Sequence, residues 1–263
     1  MLDNHYVPDG YGIITNFVIF GHKISTYTFF VALGLLVGII CFFTTVPSKE
    51  KINIKKTYYI FLSALTFGFI GSKLLVVIEN LNIIIKDISI IKNIVFSGKS
   101  IVGGLIGGYI GVRFIKKRLN IENIRIGNKI APSIALGMSL GRVGCFLTGC
   151  CYGIETSLPI GVDFGDGIKR IPTQIIEIIF CLMLFIYLLY KQRTDKELVP
   201  GILFKKLVLY YFIFRFFIEF IRGTSKNILF LSIYQIICLL GIIYIMKIIR
   251  REQILWKTKK IET

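Results

Sequence analysis

Histidine is almost missing from this chain. There are two, His5 and His22, both before residue 23. The cysteine run Cys145-x4-Cys150-Cys151 therefore lacks nearby histidine partners and the usual zinc spacing, so no metal site and no cofactor are expected. Acidic residues are scarce too: 15 against 32 Lys and Arg, a formal net charge of +17. So large a basic excess brings nucleic acid into question as a partner, but the placement of the charges argues against it. No basic segment precedes a short apolar core at the N-terminus, where Asp3, His5, Asp9, His22 and Lys23 stand instead, and no cleavable signal peptide is expected. Polar surface is the largest deficit. Hydrophobic residues make up 54% of the chain and mean hydropathy is +0.72, which excludes an ordinary soluble globular domain and fits a multi-spanning membrane protein.

A helix that crosses a bilayer needs about 20 mostly apolar residues. Seven stretches qualify as candidates: 24–45, 57–78, 101–118, 130–149, 174–191, 205–222 and 229–248. Residues 83–96 are apolar but short and charged, and read as an interfacial or re-entrant piece. One set of flanks carries Lys49 to Lys56, Arg113 to Lys129, Lys191 to Lys206 and Lys247 to Lys260. The opposite flanks carry only Lys23, Lys86, Lys92, Lys99, Lys169, Arg170, Arg222 and Lys226. The positive-inside bias then predicts an extracytoplasmic N-terminus and a cytoplasmic C-terminus. The excess charge reads as topology signal and contact with anionic lipid rather than nucleic-acid binding. The expectation is an all-α polytopic membrane protein of about seven transmembrane helices. It forms a single domain over 1–263, with extracytoplasmic cap loops at 79–99 and 150–173.

This topology gathers the costly polar groups in one half of the membrane. Tyr27, Lys73, Glu79, Gly103, Gly104, Arg142, Gln174, Glu177, Arg215, Glu219 and Arg222 all fall toward the outer face. Charges inside a membrane need partners or a water-filled cavity. The spacing of Arg215, Glu219 and Arg222 puts them on one helical face. That face reads either as a salt bridge that makes insertion tolerable or as an anion clamp in which Glu219 orients the arginines. Arg142 adds a cation from another span and has Glu177 or Glu219 as candidate partners. The glycines from Gly98 to Gly111 permit close helix packing, or bring backbone N–H groups of Gly103 and Gly104 near a ligand.

The most unusual stretch is Gly141-Arg-Val-Gly-Cys-Phe-Leu-Thr-Gly-Cys-Cys-Tyr-Gly153, with an arginine and three of the six cysteines. Together with Ile24 to Tyr27, Gly98-Lys-Ser-Ile-Val-Gly-Gly-Leu-Ile-Gly107, Arg170 to Glu177, Phe214 to Arg222 and Leu231 to Gln235, it resembles the phosphatidylglycerol–prolipoprotein diacylglyceryl transferase family. The likeness runs in order over most of the chain. It departs at four polar positions: family histidines are Val102 and Ile171 here, and a family asparagine and glutamate are Cys145 and Cys150.

The resemblance implies transfer of a diacylglyceryl group from phosphatidylglycerol, or another anionic phospholipid, to a prolipoprotein or other thiol acceptor. It implies a bacterial plasma (inner) membrane enzyme, multi-pass, with its site on the extracytoplasmic side. Its substrate-handling positions would be Tyr27, Gly103, Gly104, Gly144, Cys151, Gln174, Glu177 and Arg222. Arg142, Arg215, Glu219, Cys145 and Cys150 would be the catalytic positions, the two cysteines standing where the family has polar side chains. The cysteines admit several readings: a structural disulfide or buried packing, a nucleophilic thiolate beside Arg142, a redox pair, or a metal site. The alternatives for the whole chain are a transferase that uses its own cysteines on another acceptor, and a non-catalytic lipid-binding or thiol-redox membrane protein.

Overall fold

The computed structural model describes residues 12–19, 21–45, 54–92, 94, 99–120, 126–195, 198–222 and 231–261. His5, Gly98, Lys196 and Lys226, and part of the expected 79–99 cap, lie outside these residues. An antiparallel hairpin, β1 (Asn16–Ile19) and β2 (His22–Ser25), leads into α1 (Thr26–Thr45). Next come α2 (Ile54–Glu79), the short α3 (Leu81–Lys86) and a 3-10 turn, Ile88–Ile90. After these, α4 (Ile101–Arg118) and α5 (Ile126–Leu147) precede a two-stranded ribbon, β3 (Val162–Asp163) and β4 (Lys169–Arg170). The chain then forms α6 (Thr173–Thr194), α7 (Ile202–Ile218) and α8 (Ile233–Ile261).

Among the described residues, five helices are long and apolar enough to cross a membrane: α1, α2, α5, α6 and α8. Exposed on four of them are Ile40 and Phe43 of α1, Phe69 and Ile70 of α2, Met183 and Ile186 of α6, and Leu240 of α8. Apolar side chains presented outward around a bundle are what lipid-facing helices require. The other two expected spans are weaker by the same measure. α4 has 18 residues and a basic last turn of Lys116, Lys117 and Arg118; α7 has 17 residues. Both are held by packing. α4 lies along α2, and α7 packs on α8, α5 and α6.

Two helix pairs meet at glycines. A methyl group on Gly71 of α2 would sit 2.5 Å from the Gly103 carbonyl oxygen of α4, and one on Gly34 of α1 would sit 2.7 Å from that of Gly137 on α5. Without a hydrophobic effect between helices in lipid, backbone contact of this kind is what dispersion packing needs. The second half of the bundle is built differently, from large side chains. Leu184, Leu188, Leu203, Leu207, Tyr211 and Phe212 form its core, and Phe180 of α6 stacks on Phe214 of α7 with ring centroids 4.0 Å apart. Buried Asn128 ties α5 to the start of α7. It donates to the Val199 carbonyl at 2.9 Å and accepts from the Leu203 N–H at 2.9 Å, satisfying one of the unpaired donors at a helix N-terminus.

One expectation about the fold is corrected. Arg215 and Glu219 share a helical face and pair, but Arg222 does not join them, because α7 ends at Ile218 with Glu219 as its cap. The chain after it turns into an extended bridge between Arg222 and Gly153. The Ile154 N–H donates to the Ile221 carbonyl at 2.9 Å, and the Gly153 N–H donates to Ile171 at 2.8 Å. Backbone pairing with the segment after the cysteine run thus replaces the last helical turn.

Candidate functional site

Five ionised side chains from three segments meet where α5, α6 and α7 converge. Glu177, one turn into α6, has no exposed surface. Its Oε2 lies 2.5 Å from Nε of Arg142. Its Oε1 accepts from Nη1 of Arg215 at 3.5 Å and from Nη1 of Arg222 at 3.4 Å. Arg215 makes a second ion pair, Nη2 to Oε2 of Glu219 at 2.8 Å, and Ser232 Oγ donates to Glu219 Oε1 at 3.2 Å. All five charged groups are at most 5% exposed. Among the described residues, three arginines against two carboxylates leave one positive charge. Such a cluster is tolerable in a bilayer only because the partners compensate one another.

Side chains from α8 close the cluster on its far side. The Arg215 guanidinium lies over the Tyr234 ring, 5.1 Å from its centroid, and Tyr234 Oη donates to Glu79 Oε2 at 2.8 Å. The contact joins α2 to α8. Gln235 accepts from the Ser232 N–H at 2.9 Å and donates to the Phe216 carbonyl at 3.3 Å, which fixes the chain entering α8.

The turn after α5 is stitched to the start of α6. Gln174 Nε2 donates to the Cys150 carbonyl at 2.6 Å, and Thr173 Oγ1 to that of Cys151 at 2.8 Å. Over this turn, Phe164 is buried and stacks on Tyr152, with centroids 5.5 Å apart. Arg170 covers the same tyrosine and pairs with Asp166 at 2.7 Å. That hydrogen bond holds the Asp166 carboxyl below the usual carboxylate range.

A cavity of about 1120 Å³ opens beside the cluster, between the α1–α5 and α2–α4 pairs. Tyr27, Lys99, Ser100, Gly104, Arg142 and Cys145 line one end. Leu35, Ile39, Leu65, Ile134 and Met138 line its length. Lys116, Lys205 and Trp256 stand at the opposite end. The arrangement suits an elongated amphiphile with an anionic head: a cation and a backbone edge at one end of a long apolar slot.

The expected residues therefore divide. Arg142, Tyr27, Gly104 and Cys145 border the cavity. Arg215, Glu219 and Arg222 lie behind them, linked to Arg142 through Glu177. Gly103 faces α2 instead: a side chain there would collide with the Gly71 carbonyl. Gly144 is also a spacer, since a methyl group on it would lie 2.9 Å from Phe30 Cβ and 3.3 Å from Tyr27 Cα. All six cysteines are thiols rather than disulfides. Hydrogen bonding with the Cys145 and Cys151 thiols, together with burial, pushes the Cys150 thiol well above its ordinary value. A protonated thiol is a poor nucleophile.

Sequence reasoning placed Lys99 only among the topology charges. In the structure it lines the cavity, its ammonium 4.8 Å from the Tyr27 ring centroid. Partial burial lowers its pKa below the ordinary lysine value. The signal available in sequence was its place, three residues before Val102, in a glycine-rich motif.

Residues 15–250 match the profile of the family described as prolipoprotein diacylglyceryl transferase. The chain is 36% identical over 235 residues to the phosphatidylglycerol–prolipoprotein diacylglyceryl transferase of Clostridium tetani, a match covering 86% of this chain and 92% of that one. It is 31% identical over 215 residues to the second protein of that name in Clostridium perfringens, covering 80% and 83%. Against the protein of that name in Finegoldia magna the figures are 30% over 246 residues, 93% and 98%. With residues 15–250 matched and so much of both chains aligned, the chain belongs to the prolipoprotein diacylglyceryl transferase family.

Proposed function

We propose that this protein moves the diacylglyceryl group of phosphatidylglycerol onto the cysteine thiol of a prolipoprotein, in the membrane of a bacterial cell. The observation that supports it most is the buried arginine–glutamate cluster. It carries one surplus positive charge and presents Arg142 at the end of a long apolar cavity. The acyl chains would lie in the slot, with the phosphate against Arg142 and the Ser100–Gly104 edge.

The thiol sulfur forms a bond to the terminal glycerol carbon as that carbon's bond to the phosphate oxygen breaks. A thioether results and glycerol phosphate leaves. The departing phosphate goes from one negative charge toward two, so a fixed cation facing it binds the transition state better than the ground state. Arg142 is the residue that touches the phosphate in this reading. Arg215, Arg222 and Glu219 are positioning residues that act by holding Glu177, and Tyr27 and Gly104 shape the headgroup end. The basic flanks favour an orientation in the plasma membrane that puts this site on the extracytoplasmic side. Residues 79–99 and 150–173 would then cover it as a cap.

Transfer is tested with the intact chain in nanodiscs containing phosphatidylglycerol and a lipobox peptide. A diacylglyceryl adduct on the peptide cysteine is the expected product by mass spectrometry. A folded, monodisperse protein that yields none would reject the reading.

The acceptor thiol must lose its proton. Lys99 is placed to take it, and its lowered pKa leaves more free amine at neutral pH than an ordinary lysine has. The rate should rise with pH as Lys99 deprotonates and level off above its pKa, with the inflection below the usual lysine value of about 10.4. Lys99→Gln should lower the rate about a hundredfold, at the low end for a general base because the surrounding cations still favour the thiolate. It should also remove that inflection. An unchanged pH profile in Lys99→Gln would assign the proton elsewhere.

A further inference from the structure

Three sulfurs from one tight reversal of the chain lie together at the cavity end. The Sγ atoms of Cys145, Cys150 and Cys151 are all within 4.8 Å of one another. The reversal is built for this. The Cys150 N–H donates to the Cys145 carbonyl at 3.0 Å, and the Gly149 N–H to that of Phe146 at 3.1 Å. Gly149 has φ +68° and Cys151 has φ +63°. The second is a left-handed conformation in a residue with a side chain, which is a strained one. Bonds from Gln174 and Thr173 hold the two carbonyls of the strained turn. A run of Cys-x4-Cys-Cys has no metal-binding look in linear sequence; the turn supplies what the spacing lacks.

We propose that Cys145, Cys150 and Cys151 form a trithiolate site for a soft monovalent d10 cation, Cu(I). This site goes beyond the lipid transfer reading and does not depend on it. A metal–thiolate bond of about 2.3 Å places three trigonal sulfurs about 4 Å apart, which the cluster accommodates without rebuilding the turn. Thiolate sets select soft cations, and three sulfurs without a fourth ligand suit Cu(I) better than tetrahedral zinc. A redox pair would need only two of the three.

Binding releases three thiol protons and leaves a complex of net charge minus two. Positive charge stands next to it. Arg142 Nη1 is 3.9 Å from Cys145 Sγ, and Lys99 lines the same end of the cavity. Thr148 Oγ1, whose proton goes to the Gly144 carbonyl at 2.7 Å, lies 3.5 Å from Cys150 Sγ. Cys145 borders the cavity and Cys151 is half-buried, so the ion has a route in.

The test uses the intact protein in detergent, reduced and free of oxygen, with Cu(I) offered on a chromophoric chelator. The wild-type chain should withdraw one equivalent. Cys145→Ala, Cys150→Ala and Cys151→Ala should each weaken binding at least tenfold, while Cys181→Ala and Cys238→Ala should not. X-ray absorption on the copper-loaded wild type, which needs no variant to fold, should show three sulfur neighbours. No copper withdrawn by the wild type, copper kept by the triple alanine variant, or nitrogen and oxygen neighbours in place of sulfur would each overturn the proposal. A Cys145–Cys150 disulfide that forms on air exposure, in a chain that takes up no copper when reduced, would assign the cluster to redox chemistry instead.

Discussion

Glu177→Ala should fail to accumulate as folded protein. The carboxylate has no exposed surface, and three arginines from α5, α7 and the bridge after α7 converge on it. Its loss raises the buried surplus from one positive charge to two and leaves the Arg142 Nε without the carboxylate it faces. Removing one partner of a buried ion pair costs about 3–5 kcal/mol, against a total stability of about 5–15 kcal/mol for a typical domain. Because Glu177 serves three cations, its loss belongs at the upper end of that range. Glu177→Gln keeps the shape and one acceptor oxygen, so it should lie between alanine and wild type. The yield of monodisperse protein in detergent and its melting temperature measure both. A wild-type melting temperature for Glu177→Ala would mean that the arginines are compensated by some other group.

Arg142→Ala should fold and still lose about a thousandfold in transfer rate. The two effects separate because Glu177 keeps Arg215 and Arg222 when Arg142 is gone, so no carboxylate is left bare. A thousandfold loss corresponds to about 4 kcal/mol of transition-state stabilisation. It should appear mainly in kcat, since the phosphate gains charge only as the carbon–oxygen bond breaks. Arg142→Lys restores the charge but not the planar fork, so its rate should lie between the two. Rates in nanodiscs of fixed phosphatidylglycerol content, with the melting temperature as control, decide the matter. Near-normal transfer by Arg142→Ala would place the phosphate elsewhere.

Helix placement was legible in the sequence because long apolar runs have few alternatives to spanning a bilayer. The apolar segments at 24–45, 57–78 and 174–191 match α1, α2 and α6 within a few residues. The cost of an intramembrane charge likewise made Arg142, Glu177 and Arg215 visible. Their pairing was legible in part: Glu177 was one of two candidate partners for Arg142, and the Arg215–Glu219 spacing allowed the ion pair that forms. Periodicity assigned Arg222 to the helix of Arg215, and only the backbone pairing of Gly153 with Arg222 shows that the helix stops. Nor does sequence say that one glutamate serves three arginines, since that depends on where three segments cross.

Neighbouring glycines take different roles for a similar reason: Gly103 packs on α2 while Gly104 lines the cavity, a difference of one position around a helix. Lys99 looked like one more interfacial lysine, because burial against Tyr27 cannot be seen in a linear motif.

The cavity also decides how substrate is counted. Leu35 and Ile39 of α1 and Leu65 of α2 both line it and are exposed. The slot therefore opens sideways, through the seam between the two glycine-packed helix pairs, into the hydrocarbon. A donor that arrives along this seam never crosses water. Its effective concentration is a mole fraction in two dimensions, fixed by membrane composition and indifferent to the volume of the surrounding solution. Diluting the vesicles would leave saturation unchanged, whereas diluting the anionic lipid within each bilayer would shift it in proportion.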